Sequence, residues 1–281
     1  MTIQIPDEIY LTVSRQESCA VSSVRRVAAM LDQDPDAWSK GDALPRGWQF
    51  ILMGADTRRS RLRNDGFPGL GVPLPDFGLP RLMLAGRSVS FGNDIPIGSD
   101  VRRESRVEEV KQKEGRNGPI VFVTVLHELY TDDRSSAAVT ERQTYVLMGA
   151  GQGEKVKPSE QRTLPEDARQ LSIPDDTLIF SYSALGFNSH RIHIDREYAT
   201  KVEGFPDLVV NGGLSTLLLT EDFRHSTRQP ITTITARYLR PLFCAKPIYV
   251  SYERTKDVWT VKAYDDQHEV AVELVLNSYT P

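Results

Sequence analysis

An eight-residue segment that occurs twice restricts the fold most. Residues 65–72, Asp-Gly-Phe-Pro-Gly-Leu-Gly-Val, return at 203–210 as Glu-Gly-Phe-Pro-Asp-Leu-Val-Val, with Gly, Phe, Pro, Leu and Val in register. Each copy precedes four β-like runs, at 81–91, 100–113, 119–130 and 137–148 in the first half and 231–239, 247–253, 258–265 and 269–276 in the second. Two copies of one supersecondary layout in a single chain produce that pattern. Residues 114–118, Glu-Gly-Arg-Asn-Gly, supply a hairpin turn between two of the runs.

The two copies differ on their C-terminal side. After Val210 the chain reads Asn-Gly-Gly and then a leucine-rich helix over 214–223, with Leu214, Leu217 and Leu218 on one face. After Val72 it reads Pro-Leu-Pro, which removes backbone donors and resists helix formation. Between the halves, residues 149–174 are rich in Gly, Pro, Glu, Lys and Gln and read as a linker. The spacing also predicts a strand over 9–14, a helix over 17–31, and an irregular excursion over 34–64 anchored by Trp48 and Phe50. A strand over 177–182 is expected to deliver the polar cluster next in the chain.

That cluster, residues 188–195, is Asn-Ser-His-Arg-Ile-His-Ile-Asp. A neutral imidazole titrates near pH 6.5 and transfers protons in both directions, which makes His193 the candidate acid/base. His190, three residues earlier, shares a face with it on a helical turn, and Asn188 can orient a water or an imidazole. Arg191 can hold an anionic group. Gly212 and Gly213 lack Cβ, so a carbonyl can approach the free amides of the first helical turn, where an enolate oxygen would be stabilised. The same residues have plainer readings: a tight strand-to-helix turn, hydrogen-bonded core histidines, or a zinc site built from His190, His193 and Asp195.

The stretch FSYSALGFNSHRIHIDREYA followed by EGFPDLVVNGGL resembles the signature of the MaoC-like hydratases and dehydratases. The nearest branch is the double-hotdog group of mesaconyl-CoA and itaconyl-CoA hydratases and type 2 3-hydroxyacyl-thioester dehydratases. In the first half PRGWQF, DGFPGLGVPLP, LPRLMLAG, GRNGPIVFVTVLHEL and TERQTYVL occur in that group's order. The chain departs from the pattern at three places. The Asp of the Asp-x-Asn-Pro-x-His motif is replaced by Gly186, His-Gly-Pro-Leu reads Asn211-Gly212-Gly213-Leu214, and Trp-His reads Trp48-Gln49.

The resemblance implies an α+β double hotdog, two curved antiparallel sheets each wrapping a central helical segment. The expected division is a non-catalytic half over 1–148, the linker, and a catalytic half over 175–281. It implies water addition to an enoyl-CoA, with His193, His190 and Asn188 catalytic and the Gly212 and Gly213 amides holding the oxyanion. The expected substrate is a branched dicarboxylic acyl-CoA, itaconyl- or mesaconyl-CoA giving citramalyl-CoA, with Tyr182, Arg191, Arg237 and Arg240 as substrate contacts. No metal or redox cofactor is expected, since the substrate carries CoA, and a homodimer or higher homo-oligomer is. Dehydration of 3-hydroxyacyl-CoA or acyl-carrier-protein thioesters, and an inactive thioester-binding protein, are the alternative readings.

The composition agrees with an enzyme of ordinary make-up: 281 residues, 40% hydrophobic and 26% charged. The net charge of −4 argues against nucleic acid as the main partner, and no apolar run reaches the ~18 residues of a membrane helix. Cys19 and Cys244 are too few and too far apart for a disulfide framework, so a reducing cytoplasm is expected. His127, the only histidine of the first half, is expected to face solvent. Arg58, Arg59, Arg61 and Arg63 form a basic run suited to a phosphate or to a solvated loop.

Overall fold

The structure is a computed structural model and describes residues 6–115, 118–131, 135–149 and 162–279. The first half contains strand β1 (Val13–Ser18), helix α1 (Val21–Met30) and four long strands, β2 (Arg81–Phe91), β3 (Asp100–Gly115), β4 (Gly118–Thr131) and β5 (Val139–Met148). The second contains β6 (Arg169–Ser172), helices α2 (Asp176–Leu185), α3 (Arg191–Ile194) and α4 (Gly212–Thr227), then β7 (Ile231–Tyr238), β8 (Ile248–Thr255), β9 (Val258–Tyr264) and β10 (Val270–Ser278). All eight expected long runs are strands, within one or two residues at most ends. The hairpin expected at 114–118 is flanked by the pair Gly115↔Gly118, and its tip, 116–117, lies outside the described residues.

The strands form one antiparallel ten-stranded sheet in the order β1-β3-β4-β5-β2-β7-β10-β9-β8-β6. β2 pairs with β7 from Gly86↔Arg237 to Ser90↔Thr233, so the two halves meet through a backbone ladder at the centre. In the second half α4 lies on the sheet as the expected central helix. Leu214, Leu217, Leu219 and Phe223 pack with Ile234, Val250, Val261 and Leu274 in the main core, while Leu218 is only partly buried at its border. Among the described residues of the first half no helix is longer than the ten residues of α1, and the Pro/Gly-rich chain covers the sheet where α4 does in the second. Phe67, Leu70, Phe77 and Leu79 cover Val107, Val121, Val123 and Val125 in a second apolar cluster. The repeat holds in the backbone as well: Gly66 and Gly204 both have left-handed φ, +78° and +74°.

Several local expectations need correction. Residues 7–10 are a 3-10 turn, and the first strand starts later, at Val13, where it can pair with β3. Residues 177–182 are helical, because the Asp175 carboxylate caps the Leu178 amide at 2.7 Å and Ile179, Tyr182 and Ser183 bury one helical face. The end of the linker is a strand, β6, paired with β8; residues 150–161 lie outside the described residues. The excursion over 34–64 is a series of 3-10 turns, anchored as expected. Trp48 is fully buried and donates Nε1–H to Glu221 of α4 at 2.8 Å, and Phe50 stacks on Tyr182 at 4.5 Å.

His127 is buried rather than solvent-facing, since β4 lies inside the sheet and the ring meets Ser105 Oγ through Nδ1 at 2.8 Å. Burial pushes its pKa down to about 4, although the Glu141 carboxylate pulls the other way. The unfolded chain, with a histidine near 6.5, therefore binds more protons than the folded one between those values, and stability is lost as pH falls through that window. Relative to a His127→Gln variant, wild type is expected to lose about 2 kcal/mol more unfolding free energy between pH 6.5 and pH 5. Urea unfolding at the two pH values measures the difference, and equal losses would contradict it.

Candidate active site

The loop after α2 is folded by its own polar side chains. The Asn188 amide donates to the Ser183 carbonyl at 2.7 Å, and Asn188 Oδ1 accepts from the His190 amide at 3.1 Å, which starts the single turn α3. Three residues of helix then bring His190 and His193 together, ring centroids 5.5 Å apart and the planes nearly perpendicular.

The first half holds this loop in place. Arg191 donates its amide to the Asp65 carbonyl at 2.8 Å, and Ser189 Oγ donates to the Gly66 carbonyl at 2.6 Å. A Cβ on Gly66 would stand 2.6 Å from the Ser189 carbonyl oxygen, so this glycine is required for close approach as well as for its φ. Phe67 packs its ring against His190 at 5.6 Å, and the Asp65 carboxylate lies 3.6 Å from His190 Nε2. That carboxylate, from the first copy of the repeated turn, stands near the histidines where Gly186 supplies none.

His193 is fixed by the strand leading to α4. Its Nδ1 donates to the Val209 carbonyl at 2.7 Å, which leaves Nε2 as the nitrogen with a lone pair. Burial, with His190 adding to it, pushes its pKa down to about 3, so the ring is neutral at physiological pH. Burial lowers the pKa of His190 too, against the pull of Asp65.

At the other wall is the start of α4. Asn211 tethers it to α2 by donating Nδ2–H to Ser183 Oγ at 3.1 Å and gives no side-chain cap to the helix. The Gly212 and Gly213 amides precede the first intrahelical bond, and among the described residues none accepts from them. The Gly-Gly step is dictated by its neighbours. A Cβ on Gly213 would stand 2.1 Å from Tyr182 Oη, and one on Gly212 would stand 3.2 Å from the Tyr238 ring. Tyr238 in turn hydrogen-bonds Thr216 Oγ1 at 2.6 Å.

All of these groups line one cavity of about 220 Å³: Asn188, His190, His193, Gly212, Gly213 and Tyr182 from the second half, and Phe67, Leu82–Leu84, Arg87 and Tyr145 from the first. The four expected substrate contacts therefore divide. Tyr182 and Arg240 line the cavity; Arg240 pairs with Asp265 at 3.2 Å and keeps Nη2 buried with no hydrogen-bond partner. Arg191 and Arg237 do not line it. Arg191 turns outward to Asp195 at 2.7 Å and over the Tyr198 ring, and Arg237 is on the exposed face of β7 with Glu273. Asp195 is thereby taken from the imagined zinc set, and no cluster able to hold a metal exists among the described residues. Within the basic run, Arg63 is engaged with Asp65 and the Pro80 carbonyl.

Asp65, Arg87, Tyr145 and Tyr238 were not expected at the site. The repeated turn was a signal for Asp65, and an arginine within the apolar run 81–91 was one for Arg87. No local pattern marks the two tyrosines.

Comparison with known proteins places the chain. The family model described as hydroxyacyl-thioester dehydratase type 2 matches residues 47–244. The chain is 34% identical to the mesaconyl-C(4)-CoA hydratase of Chloroflexus aurantiacus over 233 residues, 83% of this chain and 82% of the relative. It is 26% identical to the mitochondrial hydroxyacyl-thioester dehydratase type 2 of Schizosaccharomyces pombe, over 79% of this chain and 81% of that one. Among solved structures, a MaoC-like dehydratase of Phytophthora capsici superposes with a TM-score of 0.71 at 12% identity, covering 99% of this chain and 98% of that one. HtdX of Mycobacterium tuberculosis does so with 0.67 at 15%, covering 96% and 100%. With its two β-rich halves, its central helix α4 and this extent of match, the chain is a double hotdog that belongs to the hydroxyacyl-thioester dehydratase type 2 family, a family of hydro-lyases.

Proposed function

We propose that the protein catalyses reversible hydration of an enoyl-CoA thioester. The observation that carries the reading is the convergence of a tautomer-fixed, neutral His193 and the unbonded Gly212 and Gly213 amides on a single cavity. The thioester carbonyl accepts from those amides. A water positioned by Asn188 and His190 adds its oxygen to the β carbon and gives a proton to His193 Nε2, and the electron pair of the double bond moves onto the carbonyl oxygen as an enolate. The α carbon then takes the proton back from the imidazolium.

A histidine whose pKa is about 3 is a weak base in the empty site, but the enolate puts a negative charge beside the imidazolium as it forms. No redox or metal cofactor enters these steps. Dehydration of a 3-hydroxyacyl thioester is the same path in reverse.

The 34% identical relative is named for mesaconyl-C(4)-CoA, and it supports a branched dicarboxylic acyl-CoA as the substrate, itaconyl- or mesaconyl-CoA hydrated to citramalyl-CoA. The cavity, at about 220 Å³, is smaller than the ~300–1,000 Å³ of pockets that enclose drug-sized ligands, which suits a short acyl group. A second carboxylate needs a cation in the same cavity, and Arg87 and Arg240 line it.

A spectrophotometric hydration assay over crotonyl-, mesaconyl- and itaconyl-CoA tests the reading. His193→Ala is expected to lower kcat by about 10²- to 10⁴-fold. Unchanged turnover refutes the role of His193, and binding of CoA esters by wild type without any turnover favours an inactive thioester-binding protein. Gly213→Ala should lower kcat by about 10²-fold or more, because the methyl group collides with the Tyr182 hydroxyl and displaces the oxyanion donors. Tyr182→Phe added to Gly213→Ala should recover part of that loss; a double variant no faster than Gly213→Ala would contradict the steric account.

A further inference from the structure

An arginine is buried inside a sheet only when something meets its charge. Arg87 stands on β2, beside the join between the halves, with its side chain only 10% exposed. Glu141 on β5 meets it, Oε1 lying 2.9 Å from Nε. That carboxylate is already engaged: Gln49 Nε2 donates to Oε2 at 2.9 Å and Gln143 Nε2 to Oε1 at 2.7 Å. Its oxygen is consequently near the Arg87 Nε but misaligned with the N–H, and this donor makes no hydrogen bond. Arg87 is neutralised with its Nε donor left unpaired, while the guanidinium also meets the Tyr182 hydroxyl.

The guanidinium lines the cavity with Tyr145, Tyr182 and Tyr238. Its Nη2 is 3.4 Å from the point where a Cβ on Gly213 would stand, so the cation and the α4 amides share one small volume. Burial pushes the Tyr145 and Tyr182 hydroxyls up, and both stay protonated; Tyr145 donates its proton to Gln143 Oε1 at 2.5 Å. Burial also works against the charge on Arg87, but the Glu141 carboxylate and the three neighbouring tyrosines together outweigh it and the guanidinium stays charged.

We infer that Arg87, from the half opposite His190 and His193, binds a second carboxylate on the acyl group and makes the enzyme selective for short dicarboxylic enoyl-CoA esters. The forked guanidinium suits a carboxylate. Its closeness to the oxyanion donors places that carboxylate a few bonds from the thioester carbonyl, which fits a four-carbon diacid with or without a methyl branch. Before substrate arrives, Arg87 and Glu141 cancel. The extra negative charge then meets the N-terminal end of α4 and the Tyr182 hydroxyl. A monocarboxylic acyl group would set hydrocarbon against the side of the guanidinium that lines the cavity, and a site built around a charged donor rejects such a group. Arg240, 28% exposed and already paired with Asp265, remains for the CoA part of the ligand.

This inference rests on the hydratase reading for its kinetic arm and on binding alone for its second arm. Kinetically, kcat/KM is compared for mesaconyl-CoA and crotonyl-CoA in wild type and in the Arg87→Gln/Glu141→Gln double variant, which removes both charges and leaves no orphan carboxylate. The mesaconyl/crotonyl ratio is expected to fall about 100-fold; equal losses on both esters, or a wild type that prefers crotonyl-CoA, overturn the assignment. By calorimetric titration with the unreactive succinyl-CoA and butyryl-CoA, wild type should bind succinyl-CoA at least about 10-fold more tightly, and the double variant should not. Arg87→Lys, which keeps the charge but not the fork, should retain part of the preference. A wild type that hydrates neither ester yet shows the succinyl preference sinks the hydratase reading and leaves Arg87 standing. Equal binding of the two saturated esters sinks Arg87 instead.

Discussion

One hydrogen bond sets the chemistry of this site: the one from His193 Nδ1 to the Val209 carbonyl. It fixes the tautomer, so that the basic lone pair is on Nε2, and it ties the histidine loop to the segment running directly into α4. Val209 also donates its amide to the Ile192 carbonyl, and Val210 donates to Leu242. His193 and the Gly212 and Gly213 amides are therefore held by the same short strand-like segment, which fixes their separation while those bonds hold. Preorganisation of this kind is what makes donors aimed at a developing charge effective.

The two halves contribute different parts of the cavity and its supports. Among the described residues the second half holds the long helix α4 and the cavity histidines His190 and His193, while the first has the shorter α1 and the buried His127. The first supplies the surface on which the histidine loop is seated, through the Asp65 and Gly66 carbonyls, and it walls the cavity with Phe67, Leu82, Arg87 and Tyr145. Replacement of its helix by the chain from Phe67 to Leu79 keeps the sheet covered at the expense of a second helix N-terminus. The free amides at the start of α4, those of Gly212 and Gly213, line the cavity.

Burial decides the electrostatics. His193, His190 and His127 are all driven toward the neutral form by loss of water, and the charges that remain inside, Arg87 with Glu141 and Asp65 beside His190, are met by opposite charge or by hydrogen bonds. Among the described residues no group accepts from the Gly212 and Gly213 amides, so they stand open to an acceptor entering the cavity.

Much of this was written in the local sequence. Alternation of apolar and polar residues marked eight strands, the repeated Gly-Phe-Pro turn marked the two halves, and Asn188, His190, His193, Gly212 and Gly213 stood out as polar or Cβ-less residues in an apolar context. Residues 177–182 misled, because a short apolar run fits strand and helix alike until the Asp175 cap is weighed. What only the tertiary structure decided was the company each group keeps. It excluded Arg191 and Arg237 from the cavity, admitted Arg240, buried His127, and brought Asp65 and Arg87 across from the other half. Periodicity encodes which face of an element a side chain occupies. Contacts between residues more than a hundred positions apart depend on how β2 and β7 pair and on how the loops cross them, and no local pattern carries that information.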